Sequence, residues 1–255
     1  MIELDEAVRA YGAGRAIGPL SFAVAKGEFV ALLGGSGSGK TTTLKMINGL
    51  SPPDRGQVRI EGHAAGAEPG WRLRRRIGYV FQEVGLFPHL TVAENIAVGP
   101  RLAGWDKPRI AARTAELLDL VALPADAAPR LPAALSGGQR QRVGLARALA
   151  AGPSIMLMDE PFGALDPVIR DGLGREYRAL HERLGLTTVM VTHDVMEALV
   201  LADRIIVMDE GRIIADAPPS ALLRDPTDAR VRALMDTPRR QAERVAELAG
   251  EAAHG

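Results

Sequence analysis

Two glycine-rich segments, about a hundred residues apart, hold the groups best suited to bind phosphate. Residues 34–41 read Gly-Gly-Ser-Gly-Ser-Gly-Lys-Thr. Gly34, Gly35, Gly37 and Gly39 let the main chain approach an anion closely and take dihedrals that a Cβ forbids, with Ser36 and Ser38 between them. In a GxxxxGK[ST] loop the backbone N–H groups curl around phosphate, a lysine reaches the outer phosphates and a hydroxyl binds magnesium. Lys40 is therefore the expected partner of β and γ phosphates, Thr41 of Mg²⁺, and Thr42 of the α phosphate. A flexible Gly-Ser turn is the plain alternative. Residues 135–139 read Leu-Ser-Gly-Gly-Gln ahead of an amphipathic stretch over 139–150. The N–H groups of Ser136, Gly137 and Gly138, with Gln139 opening the stretch, can cap a further anion, or can simply cap a helix.

Carboxylates come next. Asp159 follows the apolar residues 155–158, so its carboxylate emerges at a strand end, where a parallel sheet places its ligand site. It fits an acid that holds magnesium through water. Glu160 stands beside it, a second carboxylate at the same strand end. An Asp-Glu pair after a strand can equally cap a helix. His193, in a Thr-His-Asp step, is by itself an ordinary turn residue, and Gln82 alone carries no weight. Arg72, Arg74, Arg75 and Arg76 form the one dense basic run. In a chain with 31 basic and 31 acidic residues such a run reads as a solvated helix face rather than a nucleic-acid contact.

Positioning these groups calls for short buried strands that end where the chemistry begins. Residues 29–33 are a near-continuous apolar run feeding the glycine loop, as a buried parallel strand does. Residues 58–60, 77–81, 155–158, 188–191 and 205–208 read as further strands between longer amphipathic stretches, which predicts an α/β domain with a largely parallel sheet. Helix is expected from Lys40. From 82 to 136 the pattern turns helical: Thr91 with Glu94 fits a capping box, and Asp106 with Pro108 opens a second helix. Ile110, Leu117, Leu118 and Val121 fall on one stripe of that helix. Asp194 with Glu197 predicts another capping box, ahead of a buried face of Val195, Ala198, Leu199 and Ala202. A short helix is expected near Ala221, before a charged tail.

A composition of 47% hydrophobic and 24% charged residues over 255 positions is that of a globular protein, long enough for one large core or two ordinary ones. Apolar runs are strand length, short of the roughly 20 residues a membrane-spanning helix needs. The start, Met1-Ile2-Glu3-Leu4-Asp5, lacks the basic-then-apolar build of a secretion signal, so the chain is expected to stay in the cytoplasm. Without cysteine, disulfides and cysteine-ligated metals are ruled out. A formal net charge of zero gives no general attraction to nucleic acid or anionic lipid.

In their order along the chain, the 34–41 loop, Leu-Ser-Gly-Gly-Gln, the Asp159-Glu160 pair and the Thr-His-Asp step resemble the ATP-binding-cassette (ABC) ATPases over almost the whole length. The resemblance implies an α/β phosphate-loop NTPase cassette over residues 1–235, with a charged tail over 236–255. The cassette would have a mainly parallel core sheet, an N-terminal antiparallel β part and an inserted helical subdomain at about 83–150. It implies ATP with Mg²⁺ as cofactors and Glu160 as general base. His193 becomes the switch histidine at the γ phosphate, and Gln82 a sensor able to contact Mg²⁺ or the attacking water. Tyr11 matches the aromatic that stacks on adenine, although by itself it could be a core tyrosine. Two cassettes would face each other, each ATP lying between the Lys40 loop of one and the 136–139 segment of the other, with Asp166 passing across the interface.

Residues 84–91 through Gly104-Trp105, and 161–170, are similar to importer ATPases, most of all those serving osmoprotectants and quaternary amines such as glycine betaine, carnitine and choline. The implied partners are a second ATPase subunit in a homodimer, transmembrane permease subunits docked near 86–89, and indirectly an extracytoplasmic substrate-binding protein. Its place would be the cytoplasmic face of the membrane, with no nucleic acid bound. An importer for another small solute, such as an amino acid or sulfonate, is the alternative. A soluble ABC ATPase working on DNA or ribosomes is the competing class, and this chain carries neither the long coiled coil nor the tandem cassettes of those proteins.

Overall fold

The computed structural model describes residues 1–12, 15–236 and 240. The chain opens with β1 (Ile2–Tyr11) and β2 (Arg15–Val24), paired antiparallel from Ile2 against Val24 to Tyr11 against Arg15. β3 (Phe29–Leu33) then runs into the glycine loop and α1 (Lys40–Ile47). β4 (Arg55–Ile60) and the short β5 (His63–Ala64) complete a four-stranded antiparallel sheet ordered β2-β1-β4-β5. In β1, buried Ile2 and Leu4 alternate with exposed Glu3 and Asp5, the signature of a sheet with one wet face.

α2 (Gly70–Arg75) leads into β6 (Ile77–Val80), and Phe81 lies beyond the strand with its ring half exposed. Three helices follow: α3 (Val92–Leu102), α4 (Lys107–Leu120) and α5 (Gly137–Leu149), with single 3₁₀ turns at Ala125–Ala127 and Pro132–Ala134. The α/β alternation then resumes with β7 (Ile155–Asp159), α6 (Pro167–Leu184), β8 (Thr187–Thr192) and α7 (Val195–Leu201). β9 (Arg204–Asp209), β10 (Arg212–Ala217) and α8 (Pro219–Arg224) close the described fold, with helical residues over 229–236. The predicted tail falls, apart from Asp236 and Arg240, outside the described residues.

The second sheet is ordered β10-β9-β3-β8-β7-β6, parallel from β9 to β6 with β10 antiparallel at the edge. Every residue of β3, β7 and β8 is buried, because this sheet is covered on both faces and successive side chains point to opposite sides. On one face Val30, Leu32, Leu157 and Val191 pack with Leu44 and Ile47 of α1 and with Leu4, Leu20 and Phe22 of the antiparallel sheet. On the other, Phe29, Ala31, Met156 and Met190 meet Leu173, Tyr177 and Leu180 of α6 and reach Leu117 and Val143 of the helical lobe. α1 is thereby clamped between two sheets, which fixes the helix that follows the glycine loop.

The capping signals explain where the lobe begins. Thr91 and Glu94 form a reciprocal box, Glu94 N–H donating to Thr91 Oγ1 at 3.2 Å and Thr91 N–H to Glu94 Oε2 at 2.8 Å. Asp106 accepts from Arg109 N–H at 2.8 Å and Pro108 sits in the first turn of α4. Leu117, Leu118 and Val121 are buried and Ile110 half-buried. At Asp194 only half of the expected box forms. Its Oδ1 accepts from Glu197 N–H at 3.1 Å, but Asp194 N–H donates to the strand-end Thr192 Oγ1 at 3.0 Å instead of to the Glu197 side chain. Ala198 and Leu201 are the fully buried residues of α7, with Ala202 just past it, while Val195 and Leu199 are half-buried.

Candidate functional site

Parallel pairing aligns the carboxyl ends of three central strands: Leu33 pairs with Thr192, and Asp159 with Val191. The glycine loop, the Asp159-Glu160 step and His193 thus converge from segments far apart in sequence, at the edge where open α/β sheets hold ligands. Gly34 turns the chain out of β3 against β9, and a Cβ there would lie 2.2 Å from the carbonyl oxygen of Met208. Gly39 begins α1 at φ 101°, left-handed and without a side-chain cap, and the first turn holds no acid. The leading N–H groups of α1 are left for an anion.

Lys40 is almost entirely buried. Its Nζ donates to Gly34 O at 2.8 Å and Gly35 O at 2.7 Å, with Ser38 Oγ at 3.4 Å. Burial lowers the pKa of the amine, while the negative charges of Glu160 and Asp159 draw it back up. A buried ammonium ringed by neutral acceptors is short of a counter-charge, and a phosphate in the loop supplies one.

Thr41 Oγ1 donates to Asp159 Oδ1 at 2.9 Å, and Tyr79 Oη donates to Asp159 Oδ2 at 3.4 Å. Burial raises the pKa of Asp159, partly offset by these two hydroxyl donors. The described residues contain no cluster of three or more His, Cys, Asp or Glu able to cage a metal. Thr41 and Asp159 offer two oxygens of the kind that Mg²⁺ takes together with phosphates and waters. Of the three predicted metal residues, Thr41 and Asp159 meet, whereas Gln82 turns to Glu160.

Glu160 has φ 45°, a left-handed conformation uncommon for a residue with a Cβ. It is held there by its own N–H donating to Val191 O at 2.9 Å and by Gly163 N–H donating to its carbonyl at 3.2 Å. The strained backbone aims the carboxylate along the cleft, where Oε2 accepts from Gln82 Nε2 at 3.2 Å and lies 3.0 Å from His193 Nδ1. An ionised carboxylate only accepts, so Nδ1 carries a proton in this contact and Nε2 faces away from Glu160. His193 is 59% exposed on its side chain, open to a ligand.

The cleft above these groups has a volume of about 920 Å³. Tyr11, 44% exposed, stands in its lining, with its hydroxyl 3.3 Å from Thr42 Oγ1. Ala16, Ile17, Asp209 and Glu210 complete the wall, and sequence reasoning missed all four. They belong to β2 and the β9–β10 turn, which carry no motif and reach the loop only through sheet packing. Tyr79 was missed for the same reason.

The second glycine segment builds a separate feature. Ser136 caps α5 in a reciprocal box with Gln139, at 3.2 Å and 2.9 Å, and the helix starts at Gly137, two residues ahead of the predicted stretch. Asp166 caps α6 by accepting from Ile169 N–H at 3.0 Å. Gly138 lies so close to Ile169 that a Cβ would approach its methyl to 3.0 Å, and Gly137 borders Leu165. Residues 136–139 and 165–169 therefore form one neighbourhood. Neither Ser136 nor Asp166 is among the residues lining the cleft.

A phosphate loop closed by a buried lysine, a Thr41–Asp159 pair at the strand ends and an inserted lobe that presents Leu-Ser-Gly-Gly-Gln at a helix start define the ATP-binding cassette class of ATPase. Residues 17–163 match the family model described as ABC transporter, and the chain belongs to that family. It is 48% identical to the glycine betaine uptake system ATP-binding protein YehX of Escherichia coli (strain K12), across 91% of this chain and 75% of that one. The carnitine transport ATP-binding protein OpuCA of Listeria monocytogenes is 46% identical across 90% of this chain, which spans only 58% of that relative. Among solved structures, the dimeric structure of MJ0796, a bacterial ABC transporter cassette, superposes with a TM-score of 0.77 at 34% identity, covering 86% of this chain and 99% of that one.

Proposed function

We propose that this chain is the ATP-hydrolysing subunit of an importer for osmoprotectants such as glycine betaine, carnitine or choline, working as a homodimer on a membrane permease. The observation that carries the dimer is the separation just described: the Lys40 cleft and the Ser136 helix start lie on one chain, yet the cleft is not lined by the latter. A second copy, turned face to face, would bring the 136–138 N–H groups to the γ phosphate in the first copy's cleft. Similarity to a cassette solved as a dimer supports this geometry.

In that reading Lys40 and the N–H groups of residues 35–42 bind the phosphates, Tyr11 stacks on adenine, and Thr42 adds a hydroxyl. Mg²⁺ would sit at Thr41 and Asp159, where it would neutralise charge on the β and γ phosphates. Glu160 takes the proton of the attacking water. His193 holds that carboxylate through Nδ1–H and, as the imidazolium with both ring nitrogens protonated, donates Nε2–H to the γ phosphate. Gln82, bonded to Glu160, senses the same water. In this reading the inserted lobe spans about 83–150 and the cassette ends near 235, and the run of helices α3 to α5 between β6 and β7 supports the first of these limits.

The permease would seat on the lobe. Asn95 bonds Phe87 through both its N–H and its carbonyl, at 2.8 and 3.1 Å, shaping the 86–90 turn. Arg147 of α5 donates to Gly85 O and Val84 O at 2.7 and 2.6 Å, tying that turn to the helix that begins at Ser136. An apolar groove of about 910 Å³ between α3 and α4, floored by Ala97, Leu118 and Leu123 and edged by Trp105, gives a permease helix a place to lie. No described helix is long and apolar enough to cross a membrane, so the chain would attach to the cytoplasmic face through that partner. The extracytoplasmic binding protein would then act on the permease.

Relatives named for sulfate and thiosulfate import match at similar identity, 48% over 232 residues for that of Bradyrhizobium diazoefficiens, so identity alone does not choose the solute. Uptake of labelled glycine betaine, choline, carnitine and sulfate by cells with and without the chain decides it. Loss of sulfate uptake alone would replace the osmoprotectant reading.

A further inference from the structure

Arg170, in the first turn of α6, bonds at once to two segments with separate duties in the mechanism proposed above. Its Nη1 donates to Asp194 Oδ2 at 3.0 Å. Its Nη2 donates to Leu165 O at 3.0 Å and reaches Gly163 O at 3.4 Å. The first contact fixes the residue directly after His193, whose Nδ1 touches the Glu160 carboxylate. The second grips the loop that runs from Glu160 to Asp166, the residue expected to cross toward a second copy. Arg170 Nε is buried without a partner, so this side chain is not placed to satisfy itself.

A planar guanidinium fixes the relative position of everything it bridges, unlike a point-charge ammonium. Asp194 is further constrained, since it caps α7 and its own N–H is bound to Thr192 Oγ1. A displacement of residues 163–166 therefore has a short mechanical route to the His193–Glu160 pair: carbonyl, guanidinium, carboxylate, then the adjacent imidazole. We propose that Arg170 is a positioning residue that couples the 163–166 loop to the His193–Asp194 turn, so that docking of a second copy at Asp166 sets the geometry of Glu160 in the same chain. This rests on the dimeric reading above.

The test uses the full chain with Arg170→Met, Arg170→Lys, Asp194→Asn and the Met/Asn double variant, assayed for MgATP hydrolysis. Misplacing Glu160 without touching the nucleotide should lower kcat by about 10-fold or more in Arg170→Met while KM stays within about twofold. Asp194→Asn should lose a comparable amount, and the double variant no more than the worse single, because both break one link. Arg170→Lys keeps the ion pair but not the fork and should recover only part. Dimerisation is read separately, by light scattering with MgATP in a Glu160→Gln background with and without Arg170→Met. Failure of Glu160→Gln with native Arg170 to dimerise removes the dimeric reading itself. Dimerisation in that background with unchanged turnover in Arg170→Met, or losses that multiply in the double variant, or a rise in KM matching the fall in kcat, overturns the coupling. Should Arg170→Met fold poorly, Arg170→Lys and Asp194→Asn carry the same comparison with only polar contacts altered.

Discussion

Glu160→Gln removes a charge while keeping the shape of the side chain, and it separates the two jobs this position performs. Lost as a general base, the carboxylate should cost about 10²–10⁴ in turnover. At roughly 1.36 kcal/mol per decade, that is about 3–5 kcal/mol of transition-state free energy. Nucleotide affinity should stay close to native, since Lys40 and the loop N–H groups are untouched. The backbone gives a second, independent readout. A residue with a Cβ at φ 45° carries about 1–2 kcal/mol of strain, which glutamine and alanine retain and glycine does not. Glycine loses about 0.5–1 kcal/mol through its looser unfolded chain, yet at this position Glu160→Gly should still be more stable than Glu160→Ala by several tenths to 1 kcal/mol, the reverse of the order in a helix. Single-turnover hydrolysis and urea unfolding of the three variants measure both effects. Turnover of Glu160→Gln above a tenth of native, or alanine more stable than glycine, would falsify the assignment of this carboxylate and of its strained perch.

Three other outcomes are expected. Gly34→Ala puts a methyl 2.2 Å from Met208 O, forcing β9 from the loop; about 1–3 kcal/mol of stability should go, along with affinity for a fluorescent ATP analogue. Lys40→Met should abolish nucleotide binding in a titration, because the ammonium that would meet the phosphates is gone. Burial pushes the Glu197 carboxyl up to about 7, countered by Thr192 and followed by the charge of Asp194. The folded state thus keeps a proton that the unfolded chain releases above its ordinary carboxyl pKa, so stability falls as pH rises through that range to about 7 and is level beyond it. Glu197→Gln should remove this slope, matching native at pH near 4 and exceeding it at pH 8 by roughly 1–2 kcal/mol after allowance for partial solvent contact; equal melting curves at pH 8 refute it.

The residues of the phosphate loop were legible before any fold was known because their chemistry is local: glycines at fixed spacing, a lysine and a hydroxyl all lie within eight consecutive positions. The capping boxes at Thr91 and Ser136 were legible or nearly so for the same reason, each being closed within four residues. The parallel sheet could be inferred from apolar runs, which report burial on both faces without naming the neighbours. What the sequence could not supply is distance between segments. Parallel register alone brings Asp159, Glu160 and His193 beside residues more than a hundred positions upstream. The same packing recruits Tyr79, Ile17 and Glu210, whose types and surroundings carry no pattern. It turns Gln82 to Glu160, and reduces the expected box at Asp194 to a single bond. It also places Ser136 and Asp166 together and off the cleft, a relation no spacing encodes, since it arises from helix α5 packing on the chain that leaves β7. Short-range hydrogen bonding and periodicity are written in the order of residues, whereas the meeting of strand ends is decided only when the core has been buried.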